Sequence, residues 1–252
     1  MNPKDHSSEG SVRRVLVTGA GRGIGHAIAD LMAEAGYEVI IHAFTSSNSA
    51  ESLATKITKR GGHATVIIGD LGSSDAVDQM MNKCPPVDIL INNAAVAQEK
   101  PFETISGSDF DHVLAVNLRA PFLLIQRVLP HMISQSWGRI VNISSIGGQW
   151  GGVNQIHYAS AKAGLIGLTR SIAKTYGRVG ITSNAIAPGL VATDMSADEL
   201  SRPDGQLKLE AIPVGRVCHP SEVASAALYL VSDEAAYVTG QTLNLNGGML
   251  FS

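Results

Sequence analysis

The sequence predicts an α/β fold in which seven parallel strands form one doubly wound sheet with helices on both faces. Three observations predict it. Short, nearly continuous apolar runs recur along the chain, as strands covered on both faces require. Segments with helical apolar spacing alternate with those runs. The first run ends in a glycine-rich turn, Thr18-Gly19-Ala20-Gly21-Arg22-Gly23-Ile24-Gly25, that opens a helix. With 252 residues, 44% hydrophobic and 16% charged, the chain is long enough for one large core. A single domain over residues 12–252 is expected behind a polar, disordered lead at 1–11.

The first run, 12–17, passes through the glycine turn to Ile28, Leu31, Met32 and Ala35 at helical spacing. A turn without side chains lets backbone approach a pyrophosphate and aims a helix N-terminus at its charge. Gly19, Gly21, Arg22, Gly23, Ile24 and Gly25 are therefore predicted to hold a dinucleotide. The second run, Val39-Ile40-Ile41, ends in His42-Ala43-Phe44-Thr45-Ser46, and no acid stands there to engage ribose hydroxyls. Phe44 and Thr45 fall at that cofactor position, and Arg22 with Thr45 and Ser46 would accept a 2′-phosphate, which favours NADPH over NADH. The alternative is that Arg22 is a solvated turn residue. The third and fourth runs end at Asp70-Leu71 and at Asn93-Ala94-Ala95. Ligands of such sheets sit beyond the carboxyl ends of the strands, which places Asp70 and Asn93 against adenine and ribose, unless both are strand-end caps.

Phe110, Val113, Leu114 and Leu118 then give helical spacing around Asn117, with Pro121 four residues beyond it. Proline has no N–H, so the Asn117 carbonyl loses its ordinary helical partner and is free to hold a water on a path to Lys162, or else Pro121 only bends the helix. The fifth run, 139–144, delivers Ser145 to a strand end. After a Gly-rich loop comes Tyr158-x-x-x-Lys162, a step that puts a phenol and an ammonium on one helical face while Leu165, Leu168 and Ile172 continue as core. A phenol titrates near about 10, and a neighbouring cation favours the phenolate, so Lys162 is expected to lower the Tyr158 pKa toward one useful for acid/base work. Taken alone, a Tyr and a Lys at this spacing are ordinary surface residues of an amphipathic helix. The sixth run, 181–187, ends in Pro188-Gly189-Leu190-Val191-Ala192-Thr193, whose amides and Thr193 hydroxyl are expected at the nicotinamide carboxamide. Residues 194–220, with Pro203, Gly205, Pro213 and Gly215, read as a mobile substrate lid. Val223, Ala226, Ala227, Leu230 and Val231 form one more helical stripe before a last strand at 241–245.

A net charge of -3 gives no electrostatic footprint for nucleic acid, and no apolar run approaches the roughly 20 residues of a membrane span. Cys84 and Cys218 lack metal-ligand spacing and read as reduced thiols, no other pattern suggests a metal, and the start has no signal-peptide core; a cytoplasmic protein is expected.

The glycine turn, Asn117, Ser145 and the Tyr158/Lys162 pair together resemble the short-chain dehydrogenase/reductase family, a Rossmann-type fold, and within it the bacterial 3-oxoacyl-(acyl-carrier-protein) reductases. The resemblance spans residues 12–248. It implies that Asn117, Ser145, Tyr158 and Lys162 are catalytic, with Tyr158 and Lys162 also touching the cofactor. It implies further that Asp70 and Leu71 flank adenine, that Asn93, Ala94 and Ala95 line the cofactor, and that Pro188, Gly189, Val191 and Thr193 hold its nicotinamide end. Ala95 stands where the family usually has glycine. The implied reaction is NADPH-dependent reduction of a 3-oxoacyl thioester by a homotetramer, with acyl carrier protein a candidate partner. Residues 133–137 carry no positive charge, so the nearest basic residues for such docking are Arg139 and Arg178. Trp150 is either a pocket wall for a ring or a cover for its loop. Two other functions remain open: a dehydrogenase of another secondary alcohol or ketone (sugar, steroid or polyketide), and a cofactor-binding regulatory protein without catalysis.

Overall fold

A computed structural model describes residues 12–45, 48–194, 196–197 and 205–251. The expected lead at 1–11, Ser46 and the middle of the expected lid lie outside the described residues. The strands are β1 (Arg14–Val17), β2 (Glu38–Ala43), β3 (Ala64–Ile68), β4 (Ile89–Asn92), β5 (Gly138–Ile143), β6 (Ile181–Pro188) and β7 (Thr242–Leu245). They form one sheet in the order β3-β2-β1-β4-β5-β6-β7, every pairing parallel. The predicted doubly wound, seven-stranded α/β architecture is therefore the observed one, with a crossover between β1 and β4.

Alternation along the strands explains why the runs are apolar throughout. In β1, Val15 and Val17 enter one core and Leu16 the other; Ile89 and Ile91 of β4 oppose Leu90 in the same way. The first core is closed by α1 (Gly23–Glu34), α2 (Asn48–Lys59) and α9 (Pro220–Val231) through Ile28, Met32, Leu53, Val223 and Leu230. The second is closed by α3 (Ser74–Lys83) and α5 (Ala120–Ser134) through Val77, Met80, Leu124 and Val128, with Leu168 and Ile172 of α7 (Ile156–Tyr176) packed alongside. α4 (Gly107–Leu114) starts in a capping box, in which Asp109 N–H donates to Ser106 Oγ and Ser106 N–H to Asp109 Oδ2. It continues into α5 through a π-helical segment, Ala115–Arg119.

The continuous helix Gly107–Ser134 is long and apolar enough by composition to cross a membrane, although no single apolar run in the sequence is. Its apolar residues Val113, Leu124, Ile125, Val128 and Met132 are buried in this fold, as in the core helix of a globular domain.

Because all strands run the same way, their carboxyl ends share one edge of the sheet. Thr18, Phe44, Asp70, Asn93, Ser145 and Gly189, scattered along the sequence, each follow a strand end and are brought together there.

Candidate active site

The glycine turn is built to be rigid. Thr18 Oγ1 donates to Ile91 O and accepts from the backbone N–H groups of Asn93 (2.9 Å) and Ala94 (3.0 Å), tying β1 to β4. Asn93 spends its side-chain amide on Thr18 O (2.9 Å) and Gly19 O (3.2 Å). Gly19 has φ +63°, and a Cβ there would come within 2.8 Å of Ala94 Cα. Gly25 has a different reason to be glycine. Its missing Cβ would strike Asn93 Nδ2 and approach Gly19 O to 2.5 Å, so the start of α1 lies directly on the turn.

At the other end of the edge, β5 and the Gly-rich loop with its short helix α6 (Gly147–Trp150) are locked onto α7. Ser144 Oγ donates to Lys162 O at 3.0 Å, and Lys162 Nζ donates back to Ile143 O at 2.8 Å. A Cβ on Gly148 would come within 2.8 Å of the Lys162 carbonyl carbon, so the loop carrying Ser145 can rest against the helix only because that residue is glycine. Gly147 N–H donates to Ser145 Oγ at 3.1 Å, which orients the hydroxyl, and Ser145 lies close enough to the Tyr158 phenol to favour its ionised form. Lys162 is 2% exposed, with its Nζ 5.5 Å from the centre of the Tyr158 ring. The α-helical step thus does place phenol and ammonium side by side.

Asn117 lies in the π-helical segment and is fully buried, at 0% exposure. There the Ala120 N–H reaches back five residues to Ala115 O, a wider turn than the simple proline bend considered from sequence. The Asn117 amide donates to Val113 O (2.9 Å) and to Val96 O (2.8 Å), fastening the segment after β4 to the helix. Its Oδ1 is buried and has no hydrogen-bond partner among the described residues.

One cleft of about 2090 Å³ joins these parts. Its walls include Gly19, Gly21, Arg22, Gly23, Ile24, Phe44, Thr45, Asp70, Leu71, Asn93, Ala94 and Ala95 at one end. Ser145, Tyr158, Lys162, Pro188, Gly189, Val191 and Thr193 line the other. Among the described residues, every one predicted to touch cofactor or substrate is therefore in one cleft except Gly25 and Asn117, which support the wall from behind. Trp150 lines the same cleft, half exposed, next to Val153, Asn154 and Gln155, which answers the question of wall or cover in favour of wall.

A family model described as enoyl-(acyl carrier protein) reductase matches residues 19–250. The 3-oxoacyl-(acyl-carrier-protein) reductase FabG of Aquifex aeolicus is 44% identical over 239 residues, covering 93% of this chain and 96% of that protein. A solved 3-oxoacyl-(acyl-carrier-protein) reductase from Agrobacterium tumefaciens C58, with NADP bound, is 34% identical with a TM-score of 0.87, covering 94% of this chain and 93% of that one. A provisionally named NAD(P)-dependent gluconate 5-dehydrogenase from Beutenbergia cavernae, with NADP at low occupancy, is 35% identical with a TM-score of 0.91, covering 95% and 97%. The chain belongs to the short-chain dehydrogenase/reductase family.

Within this short-chain dehydrogenase/reductase, two expectations need correcting and one is narrowed. Burial pushes the Tyr158 phenol up to about 12, offset only in part by Ser145. Burial also pushes the Lys162 ammonium down to about 7, so the protein by itself does not hold a strong cation beside the phenol, and the expected downward pull does not appear. After β6 the Gly189 and Ala192 amides donate to Leu245 O (3.0 Å) and Cys218 O (2.8 Å), so the carboxamide expectation falls to the amides of Leu190 and Val191. Arg139 is unsuited to dock anything. It sits at the start of β5, about 20 Å along the chain from Ser145, is 3% exposed, and stacks 4.3 Å from the centre of the Trp137 ring. Arg178 follows the far end of α7, a helix about 30 Å long that begins at the cleft.

Sequence reasoning missed His42 and the chain Lys100–Asp109–Gln98–His157, which runs from the rim to the residue before Tyr158. Isolated His and Gln residues carry no pattern that would have marked them.

Proposed function

We propose that this protein is an NADPH-dependent ketoreductase that reduces a 3-oxoacyl thioester to the 3-hydroxyacyl product. The observation that carries the reading is the pair of hydroxyls, Ser145 and Tyr158, facing one cleft beside the buried Lys162. The rigid glycine turn and its side-chain-free approach fit a dinucleotide at the opposite end. The relatives named as 3-oxoacyl reductases support the thioester substrate.

When bound, the dinucleotide supplies the hydride. Ser145 Oγ and Tyr158 Oη hold the substrate carbonyl oxygen, and Tyr158 gives its proton to that oxygen as charge develops there. Lys162 would hold the cofactor ribose, and a water between Lys162 and the Asn117 carbonyl behind it would give the tyrosine its route to regain a proton. The segment 194–220, of which Gly205–Glu210 is helix α8 and Lys208 and Ala211 face the cleft, acts as the substrate lid. The protein works in the cytoplasm, with acyl carrier protein as a partner for the thioester.

NADPH oxidation followed by absorbance, with a short 3-oxoacyl thioester and a panel of cyclic and sugar ketones, tests the reading. Thioester turnover is expected; turnover of sugar or cyclic ketones alone would replace it with the second reading, a dehydrogenase of another secondary alcohol. That reading draws on the mixed aromatic and polar wall of Trp150, Asn154, Gln155 and Glu99 and on the gluconate dehydrogenase relative.

NADPH preference rests on Arg22, which lies at the cleft rim and among the described residues has a distant, exposed ion pair with Asp194 at 3.9 Å. Arg22→Ala should raise the KM for NADPH roughly tenfold while leaving NADH nearly unchanged, the loss of one charge-assisted phosphate contact. Equal effects on both cofactors would remove Arg22 from the phosphate site.

We also assign a homotetramer. Phe110, Phe122 and Ile133 are exposed along the α4–α5 helix, and Leu243 and Phe251 are exposed at or beyond the edge strand β7, giving two apolar surfaces for two kinds of subunit contact. Sedimentation as a tetramer is expected, and a clean monomer at micromolar concentration would overturn it.

A further inference from the structure

His42 ends up in the cofactor cleft with both ring nitrogens committed. Gly19 N–H donates to Nδ1 at 3.1 Å, so Nδ1 must carry the lone pair. Nε2 lies 3.0 Å from Gly69 O, a group that only accepts, so the proton is on Nε2. The backbone adds a third tie, Ala20 N–H to His42 O at 2.9 Å. One imidazole at the end of β2 therefore spans from the glycine turn after β1 to the end of β3, and it is 2% exposed. Only the neutral Nε2–H tautomer satisfies both partners. A protonated ring would face the Gly19 N–H with a second N–H.

We propose that His42 is a positioning residue for the dinucleotide turn, holding Gly19 in place in its neutral form and letting go in acid. The proposal rests on reading this cleft as the dinucleotide site. Burial lowers the pKa of the ring and keeps it neutral in the assembled turn. The titratable or charged groups on the elements packed around it are Arg14 of β1, Glu38 of β2, Arg22, His26, Asp30 and Glu34 on the turn and α1, Glu51, Lys56 and Lys59 of α2, and Asp70 after β3; Arg14 pairs with Glu38, Asp30 with Lys56 and Arg60, and Glu34 with Arg60. None of these bonds the imidazole: Asp70 Oδ1 accepts from Gly72 N–H, and Arg22 faces Asp194. The sign follows. A ring released from the turn titrates at its ordinary value of about 6.5, while the held ring stays neutral to lower pH. Acid below about 6.5 therefore favours release and weakens dinucleotide binding.

The experiment is NADPH affinity, read by cofactor fluorescence, for the wild-type chain, His42→Asn and His42→Leu across about pH 5 to 8. The asparagine Oδ1 sits where Nδ1 was and accepts from Gly19 without titrating. The leucine fills the space and accepts nothing. At neutral pH, His42→Asn should bind within about threefold of wild type and His42→Leu about tenfold more weakly, with KM for NADPH raised and kcat at saturation unchanged. Below about pH 6.5 the wild type should lose affinity more steeply than His42→Asn, which corrects for titration of the 2′-phosphate itself. Equal affinity of the leucine and asparagine variants would overturn the positioning role. Where the leucine variant does not fold, superimposable pH profiles for wild type and His42→Asn overturn the proposal by themselves. No NADPH binding by the wild type at neutral pH would overturn the dinucleotide reading instead.

Discussion

Replacing Tyr158 with Phe is expected to cut turnover by roughly a thousandfold while leaving the NADPH Kd within about threefold of wild type. The ring stays, so the packing beside Lys162 at 5.5 Å stays; only the Oη that meets Ser145 is lost. A proton donor acts in the transition state, so its removal should appear in kcat and not in cofactor affinity. The pH dependence is part of the same prediction. With the phenol pushed up to about 12, Tyr158 remains protonated throughout the neutral and mildly alkaline range. Ketone reduction should therefore keep its proton donor there, while the reverse oxidation, which needs the phenolate, should rise as pH rises. Lys162 opposes that rise weakly, because its charge, with a pKa near 7, is lost over the same range. Stopped-flow binding and steady-state turnover in both directions check all three points. Retained turnover in Tyr158→Phe would remove the proton-donor role.

The second large effect is at Gly25. Gly25→Ala should destabilise the fold by about 1–3 kcal/mol, the ordinary cost of forcing a methyl into a packed site. It should also weaken NADPH binding by more than about tenfold. Alanine favours helix by about 1 kcal/mol over glycine, and at an exposed position of α1 that gain would dominate. Here the new Cβ strikes Asn93 Nδ2 and comes within 2.5 Å of Gly19 O, and the backbone oxygen cannot step aside. Moving the Asn93 amide breaks its bonds to Thr18 O and Gly19 O, which hold the turn. Urea unfolding and NADPH titration of the variant test the two halves separately. A variant as stable and as tight as wild type would mean that α1 can lift off the turn without cost.

Much of this was legible from the order of residues. Apolar runs such as Val39-Ile40-Ile41 read as strands buried on both faces, and parallel strands bring the residues that follow them onto one shared carboxyl edge. The Tyr158/Lys162 step fixes which side chains share a helical face, because helix geometry is local. What the sequence could not decide depends on contacts between segments remote from one another. Gly25 looked like one more cofactor-loop glycine, and only its nearness to Asn93 shows that it packs the turn. Arg139 looked like a free cation beside the site, but the strand direction sends it to the opposite edge and under Trp137. Lys162 was expected to tune the tyrosine, but charge depends on burial, and burial at the strand–helix junction weakens the cation itself. His42 gave no signal at all, since the two groups it joins, Gly19 and Gly69, become neighbours only when β1, β2 and β3 pair side by side. Local periodicity and strand direction determine the fold and the edge where chemistry occurs; the protonation and rigidity of the groups on that edge are set by long-range packing, which no single stretch of sequence contains.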